Sequence, residues 1–147
     1  MQRIRVVTAG NVKTPWVKEG IAVYTTRLSH VCNLETIVVA PGNIEEEGKR
    51  MLKILSKEEG VIIALDERGK MQSSTDLAAW IAREKDAGRS LCFVIGGAYG
   101  LSENVKKKAH HLLSLSALTF PHELCQLFLF EQLFRSHAIF ARTGYHH

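Results

Sequence analysis

Apolar positions along the chain switch between two periods, and the switches mark the elements. Arg3 to Thr8 form a short β-rich run, and Gly10 ends it. Pro15 stands at the first turn of a helix whose apolar residues Trp16, Ile21, Tyr24 and Leu28 recur near helical spacing, to about His30. Leu34 to Ala40 reads as a second strand, stopped by Pro41-Gly42. Asn43 is placed to cap a helix that opens with three glutamates and ends near Glu59-Gly60. Val61 to Leu65 is a continuous apolar run, as in strands covered on both faces, and Asp66 to Gly69 reads as its loop. Ser74 is placed to cap a helix over Thr75 to Asp86, closed by Gly88. Leu91 to Ile95 is another buried strand, and Ser102 opens a short helix ending in Lys106-Lys-Lys108. Leu112 to Leu115 is a fifth strand, and Pro121 opens a last helix to about Arg142. Strands alternating with helices predict an α/β fold with a mostly parallel sheet flanked by helices.

The last helix breaks the amphipathic rule. Leu124, Leu127, Phe128, Leu129, Phe130, Leu133, Phe134, Ile139 and Phe140 cover nearly every side of it. A helix apolar all round must be covered all round. Either it lies deep in one core, or a second copy of the chain covers it in a homodimer, the commonest oligomer.

With 147 residues and no linker or repeat, the chain is expected to be one domain over 1–147. No apolar run approaches a membrane span, and the first residues enter a strand at once, so neither a membrane anchor nor a signal peptide is expected. Cys32, Cys92 and Cys125 are odd in number and sit among apolar residues, which fits buried thiols in a reducing cytoplasm and no metal site. The net charge of +4 permits an anionic partner but cannot hold bare nucleic acid tightly.

Chemistry concentrates in two junctions. Leu91 to Ile95 runs into Gly96-Gly-Ala-Tyr-Gly-Leu101, and Leu112 to Leu115 runs into Ser116-Ala-Leu-Thr-Phe-Pro-His122. Open α/β sheets bind ligands in such crevices beyond their carboxyl ends. Glycine admits close approach, and the second loop is almost uncharged, which suits a flat, mostly apolar ligand. The glycines match neither the dinucleotide fingerprint nor a P-loop, and a plain tight turn gives the same spacing. Glu131 and Arg135, four apart on one helix face, form either a structural ion pair or a functional one. His122 is either a site residue or a helix-entry cap, and His30 and His137 read as surface or partly buried residues. His110 and His111, being adjacent, are not read as ligands. The terminal Tyr145-His146 is either a disordered end or a pair that docks beside the site.

Taken together, Ile4-Arg-Val-Val-Thr-Ala-Gly10, Ala64-Leu-Asp-Glu-Arg-Gly-Lys70, Ile95-Gly-Gly-x-x-Gly-Leu-Ser102, Leu113-Ser-Leu-Ser-Ala-Leu-Thr-Phe-Pro-His122, Glu131-Gln-Leu-Phe-Arg135 and Tyr145-His146 carry a resemblance over essentially the whole chain. In that order and spacing they resemble the ribosomal RNA large subunit methyltransferase H family of the SPOUT superfamily. The resemblance implies a C-terminal trefoil knot, a homodimer, and transfer of a methyl group from S-adenosylmethionine to N3 of a pseudouridine in 23S rRNA. It maps the cofactor pocket onto Leu65, Gly96, Leu115, Ser116, Ala117, Leu118, Thr119 and Phe120, and the catalytic side onto Glu131, Arg135, Tyr145 and His146. The chain departs from the family at Phe134, usually Tyr, at Gly144, commonly Pro, and at His147, usually Arg or Lys.

On this reading Arg135 orients the base and stabilises its negative charge, Glu131 holds Arg135, and Tyr145 and His146 bind the nucleotide, from the same subunit or its partner. His146 is the expected proton acceptor. The modest charge further predicts that an assembled ribosome or large subunit, more than naked rRNA, is the substrate. Two other classes fit parts of the pattern: a Rossmann-like nucleotide-binding oxidoreductase, which lacks its fingerprint here, and a non-catalytic ribosome-associated protein, favoured only by the altered tail.

Overall fold

The computed structural model describes residues 1–147. Its elements run β1 (Arg3–Ala9), α1 (Pro15–Leu28), β2 (Asn33–Val39), α2 (Ile44–Leu55), β3 (Val61–Met71), α3 (Ser74–Asp86), β4 (Leu91–Val94), α4 (Glu103–Lys108), β5 (His111–Ser114) and α5 (His122–Ala141). The five strands form one parallel sheet in the order β2-β1-β4-β3-β5.

Alternation along the strands sends side chains to two separate cores. Ile4, Val6, Ile63, Leu91 and Phe93 face a layer built from α1, α3 and α5. Val7, Ile62, Ala64, Cys92 and Val94 face α2 and α4, through Met51, Leu55 and Val105. Helix α5 lies between α1 and α3 and buries Leu129, Phe130 and Leu133 completely. Much of its apolar surface is thus covered within the chain, while Phe128 remains 38 % exposed. No helix is long and apolar enough to cross a membrane.

The elements are started by the chemistry the sequence suggests. Asn43 and Glu46 form a reciprocal capping box at α2. Helix α1 has no side-chain cap of its own. The Glu123 carboxylate accepts from the Lys13 and Thr14 amides, 3.1 Å each, and so ties the start of α1 to that of α5.

Several expectations need correction. Helix α2 ends at Leu55, short of Glu59. The cap of α3 is Ser73, accepting from the Asp76 amide, and not Ser74, which is the first helical residue. Strand β3 does not stop at Leu65. Both Leu65 and Lys70 pair with Leu113, so Asp66 to Gly69 bulge out of a ladder that resumes at Lys70. Gly69 is needed there, because a Cβ would stand 2.6 Å from the Leu112 carbonyl carbon. Cys32 and Cys92 are buried, but Cys125 is half-buried and lines a cavity. Of its two expected places His137 takes the inner one, more deeply buried than expected and with one ring nitrogen unsatisfied. It is 3 % exposed, its Nδ1–H donates to the Leu133 carbonyl at 2.7 Å, its Nε2 has no partner, and burial lowers its pKa.

Candidate functional site

The carboxyl ends of β4, β3 and β5 lie side by side, and a cavity of about 730 Å³ opens beyond them. That volume suits one small cofactor. Its first wall is the turn Gly96 to Gly100. The Gly100 amide donates to the Gly97 carbonyl at 3.1 Å, and Gly100 has φ +89°. A Cβ on Gly96 would stand 2.4 Å from the Gly100 carbonyl carbon. A Cβ on Gly97 would stand 2.6 Å from the carboxylate of buried Glu47, which accepts from the Gly42 amide. Gly96 is therefore a steric requirement of a closed turn, because its neighbour is backbone, whereas Gly97 meets only the end of a side chain.

The opposite wall is the loop after β5. Ser114 Oγ donates to the Ser116 carbonyl at 2.8 Å, and the Leu118 amide donates to Ser116 Oγ at 3.0 Å, which folds the loop back on itself. Leu65, Gly96, Leu115, Ser116, Leu118, Thr119 and Phe120 line the cavity. Ala117 does not; it is exposed on the outside of the turn. His122 also faces the cavity and makes no cap bond at the start of α5. On the remaining wall Lys106 meets Asp66 at 3.1 Å.

A second cavity of about 490 Å³ adjoins the first, and the two share Leu113, Leu115 and Phe120. Phe120 is held by an edge contact with Phe128. Polar groups converge here from α3 and α5. Arg135 Nε donates to Glu131 Oε1 at 2.8 Å, with Nη2 on the same oxygen. Gln132 Nε2 donates to Glu131 Oε2 at 2.9 Å, and Ser74 Oγ donates to Gln132 Oε1 at 2.7 Å. The Glu131 and Arg135 side chains are 18 % and 25 % exposed, so the pair is screened from water but not sealed.

The tail docks on the same cluster of its own chain. Arg142 ends α5 in the left-handed region, and Gly144 has φ +82°, a value closed to proline. This turn folds the tail back along the helix. Tyr145 packs edge-on against Phe134, and Arg135 stacks on its ring. Its hydroxyl donates to Glu131 Oε1 at 3.4 Å and accepts from Tyr24 at 3.4 Å. Burial pushes the Tyr145 phenol up to about 12, so it stays protonated at neutral pH.

These contacts assign hydrogen-bond roles. Both Glu131 oxygens are already accepting, so Glu131 positions and is no free base. Arginine only donates, so the 3.0 Å contact between Arg135 Nη1 and His146 Nδ1 makes Nδ1 the acceptor. The ring proton then sits on Nε2, leaving His146 a donor edge and no free lone pair. Tyr24, Ser74 and Gln132 escaped the sequence reading. Tyr24 counted there only as an apolar helix position, and Gln132 is visible only as the neighbour of Glu131.

The family model described as "predicted SPOUT methyltransferase" matches residues 2–146. The chain is 36 % identical over 156 residues to the ribosomal RNA large subunit methyltransferase H of Nitratidesulfovibrio vulgaris, covering 100 % of this chain and 99 % of that one. It is 37 % identical over 153 residues to the protein of that name from Geotalea daltonii, covering 99 % of each. Among solved structures, a probable methylase family protein from Haemophilus influenzae superposes with TM-score 0.61 at 11 % identity, over 98 % of this chain and 70 % of that one. A probable methyltransferase from Bordetella pertussis gives 0.61 at 11 % identity, over 92 % and 96 %.

Proposed function

The chain belongs to the SPOUT methyltransferase family, and from that premise we propose that it methylates N3 of a pseudouridine in 23S rRNA, with S-adenosylmethionine as donor. The observation that carries this is the pair of adjoining cavities. One is walled by the glycine turn and lined by both apolar and charged side chains; the other is lined by Glu131 and Arg135, on which the tail docks, and the wall of Leu113, Leu115 and Phe120 is common to both. An adenosine group fits the first cavity, where loop backbone and Leu65, Gly96, Leu115 and Phe120 can hold it. The sulfonium supplies an already activated methyl group, so the protein's own task is alignment and charge control.

Arg135 would take the central part. Its guanidinium is fixed by Glu131, which Gln132 and Ser74 fix in turn. The fixed N–H groups favour the imide anion that forms when N3 gives its proton to solvent. His146, held at Nδ1 by Arg135, adds its Nε2–H as a donor for a base carbonyl or phosphate oxygen. Tyr145 donates to Glu131 and offers its ring edge.

The substrate in this reading is an assembled ribosome or large subunit, in the cytoplasm, and residues 1–147 act as one domain with the family's knot. The working unit is a homodimer. Trp16 and Val23 on α1, Phe128 on α5 and Leu118 in the loop are apolar side chains left exposed. Leu127 touches Gly20, so the α1 and α5 parts of this surface are continuous. Sedimentation equilibrium should give twice the chain mass, and Trp16→Glu should lower it.

The reading is tested by incubating purified protein and methyl-labelled S-adenosylmethionine with large subunits from cells lacking it, then mapping the label by mass spectrometry. Label at N3 of one pseudouridine is expected. Cofactor binding without label in rRNA would leave only a ribosome-associated binding protein.

A further inference from the structure

We infer that Arg27 is a binding site for a backbone phosphate of the rRNA next to the target nucleotide. This rests on the rRNA reading above and adds a contact the site itself does not contain. The cluster around Arg135 has little positive charge to offer. Arg135 is matched by Glu131, and its other donor edge is taken up by His146 Nδ1. A nucleotide nevertheless brings a negative phosphate on either side of the base.

Arg27 supplies the missing cation. Its guanidinium lies 5.2 Å from the centre of the Tyr24 ring and 5.7 Å from that of Phe134. Those rings belong to the panel that seats the tail: Phe134 meets Tyr145 at 5.0 Å, and the Tyr24 hydroxyl bonds the Tyr145 hydroxyl. Arg27 and Arg135 thus stack on one aromatic panel, Arg135 through Tyr145. Arg135 is spent on Glu131 and His146. Arg27 is exposed and pairs with no carboxylate of the chain. Stacking holds the planar fork in place while its N–H edge stays unused, and that fork matches two phosphate oxygens. Lysine and arginine elsewhere on the surface are not fixed against the tail in this way.

The test is binding of large subunits as a function of salt, which needs no turnover and so stands apart from any failure of the methyl-transfer reading. Arg27→Met keeps an apolar stem on the rings and removes the charge. It should weaken binding by roughly a factor of ten and make the log–log salt dependence shallower by about one, while calorimetric affinity for S-adenosylmethionine stays at the wild-type value. Arg27→Lys should restore most of the salt slope. Three results overturn the inference: a wild-type slope and affinity in Arg27→Met, no salt-dependent binding by the wild type, or a loss of cofactor affinity in Arg27→Met that Arg27→Lys does not share.

Discussion

The two cavities are built from different materials. The larger is walled by two backbone turns, Gly96–Gly100 and Ser114–Leu118, closed by main-chain and serine contacts, and is lined by apolar side chains together with charged ones such as Asp66 and Lys106. The polar side of the smaller is made by side chains from α3 and α5, in a network that runs from Ser74 through Gln132, Glu131 and Arg135 to His146 of the tail. A backbone-walled cavity is sensitive to volume, because there is no room to yield. A side-chain network is sensitive to charge and hydrogen-bond count, and its members can be removed one at a time. Division of labour follows: the first holds a donor whose shape is constant, and the second tunes the reactivity of a base.

The contrast breaks first at Gly96. Gly96→Ala places a methyl against the Gly100 carbonyl, so calorimetry should show no cofactor binding, with a lower melting temperature. Full cofactor affinity in that variant would mean the turn is not rigid. Next comes Arg135→Ala, which removes donors without touching the larger cavity. Single-turnover methyl transfer should fall a hundredfold or more while cofactor binding is kept; near-wild-type turnover would take Arg135 out of the chemistry. A smaller effect belongs to Gln132→Leu. It leaves Glu131 Oε2 with only the long 3.4 Å contact from Arg135 Nε and should cost roughly five- to tenfold in kcat, corresponding to about 1 kcal/mol. Ser74→Ala should give part of that loss, and an unchanged kcat in both would show that Glu131 needs no support.

The mildest separation is by acid. His137 lies on the buried face of α5, the helix carrying the network, and burial lowers its pKa below the ordinary value of 6.5. The folded state therefore binds fewer protons than the unfolded chain once the pH falls below about 6.5. The stability tied to neutral His137 is complete above that value and is lost as the pH falls through the depressed folded pKa. Glu123, whose pKa is lowered chiefly by the Lys13 amide, acts only below its ordinary 4.5. Urea midpoints should thus fall between pH 7.5 and 5.5 in the wild type and fall less in His137→Phe. Equal slopes would remove His137 as the cause.

Much of the sheet was legible because the strands carry dense apolar runs and the helices carry ordinary caps. The bulge at Asp66–Gly69 was not. Four polar residues ending in glycine look like a turn, and only Lys70 and Met71 pairing with β5 reveals the continued strand. The sequence left His137 between surface and partly buried because a polar residue on an apolar helix gives no sign of which neighbours cover it. The site divides the same way. Motif spacing pointed to the two loops and to Glu131 and Arg135. The contribution of Tyr24 depends on α1 lying beside α5, a contact between elements over a hundred residues apart from Tyr24 to Tyr145.

The parallel sheet has a consequence for how the molecule comes into being. No two neighbouring strands are joined by a hairpin: Ile4 pairs with Leu34 and Leu91, and β3 with strands that follow much later. Such a chain gains little from early local pairing and should fold slowly for its length. The last quarter of the sequence supplies β5, the loop through Phe120, all of α5 and the tail. A nascent chain stopped before it would leave Ile4, Phe93 and Ile63 without α5 to cover them. The stretch that completes the core is the stretch that carries the chemistry, so an incomplete chain is both unstable and inert.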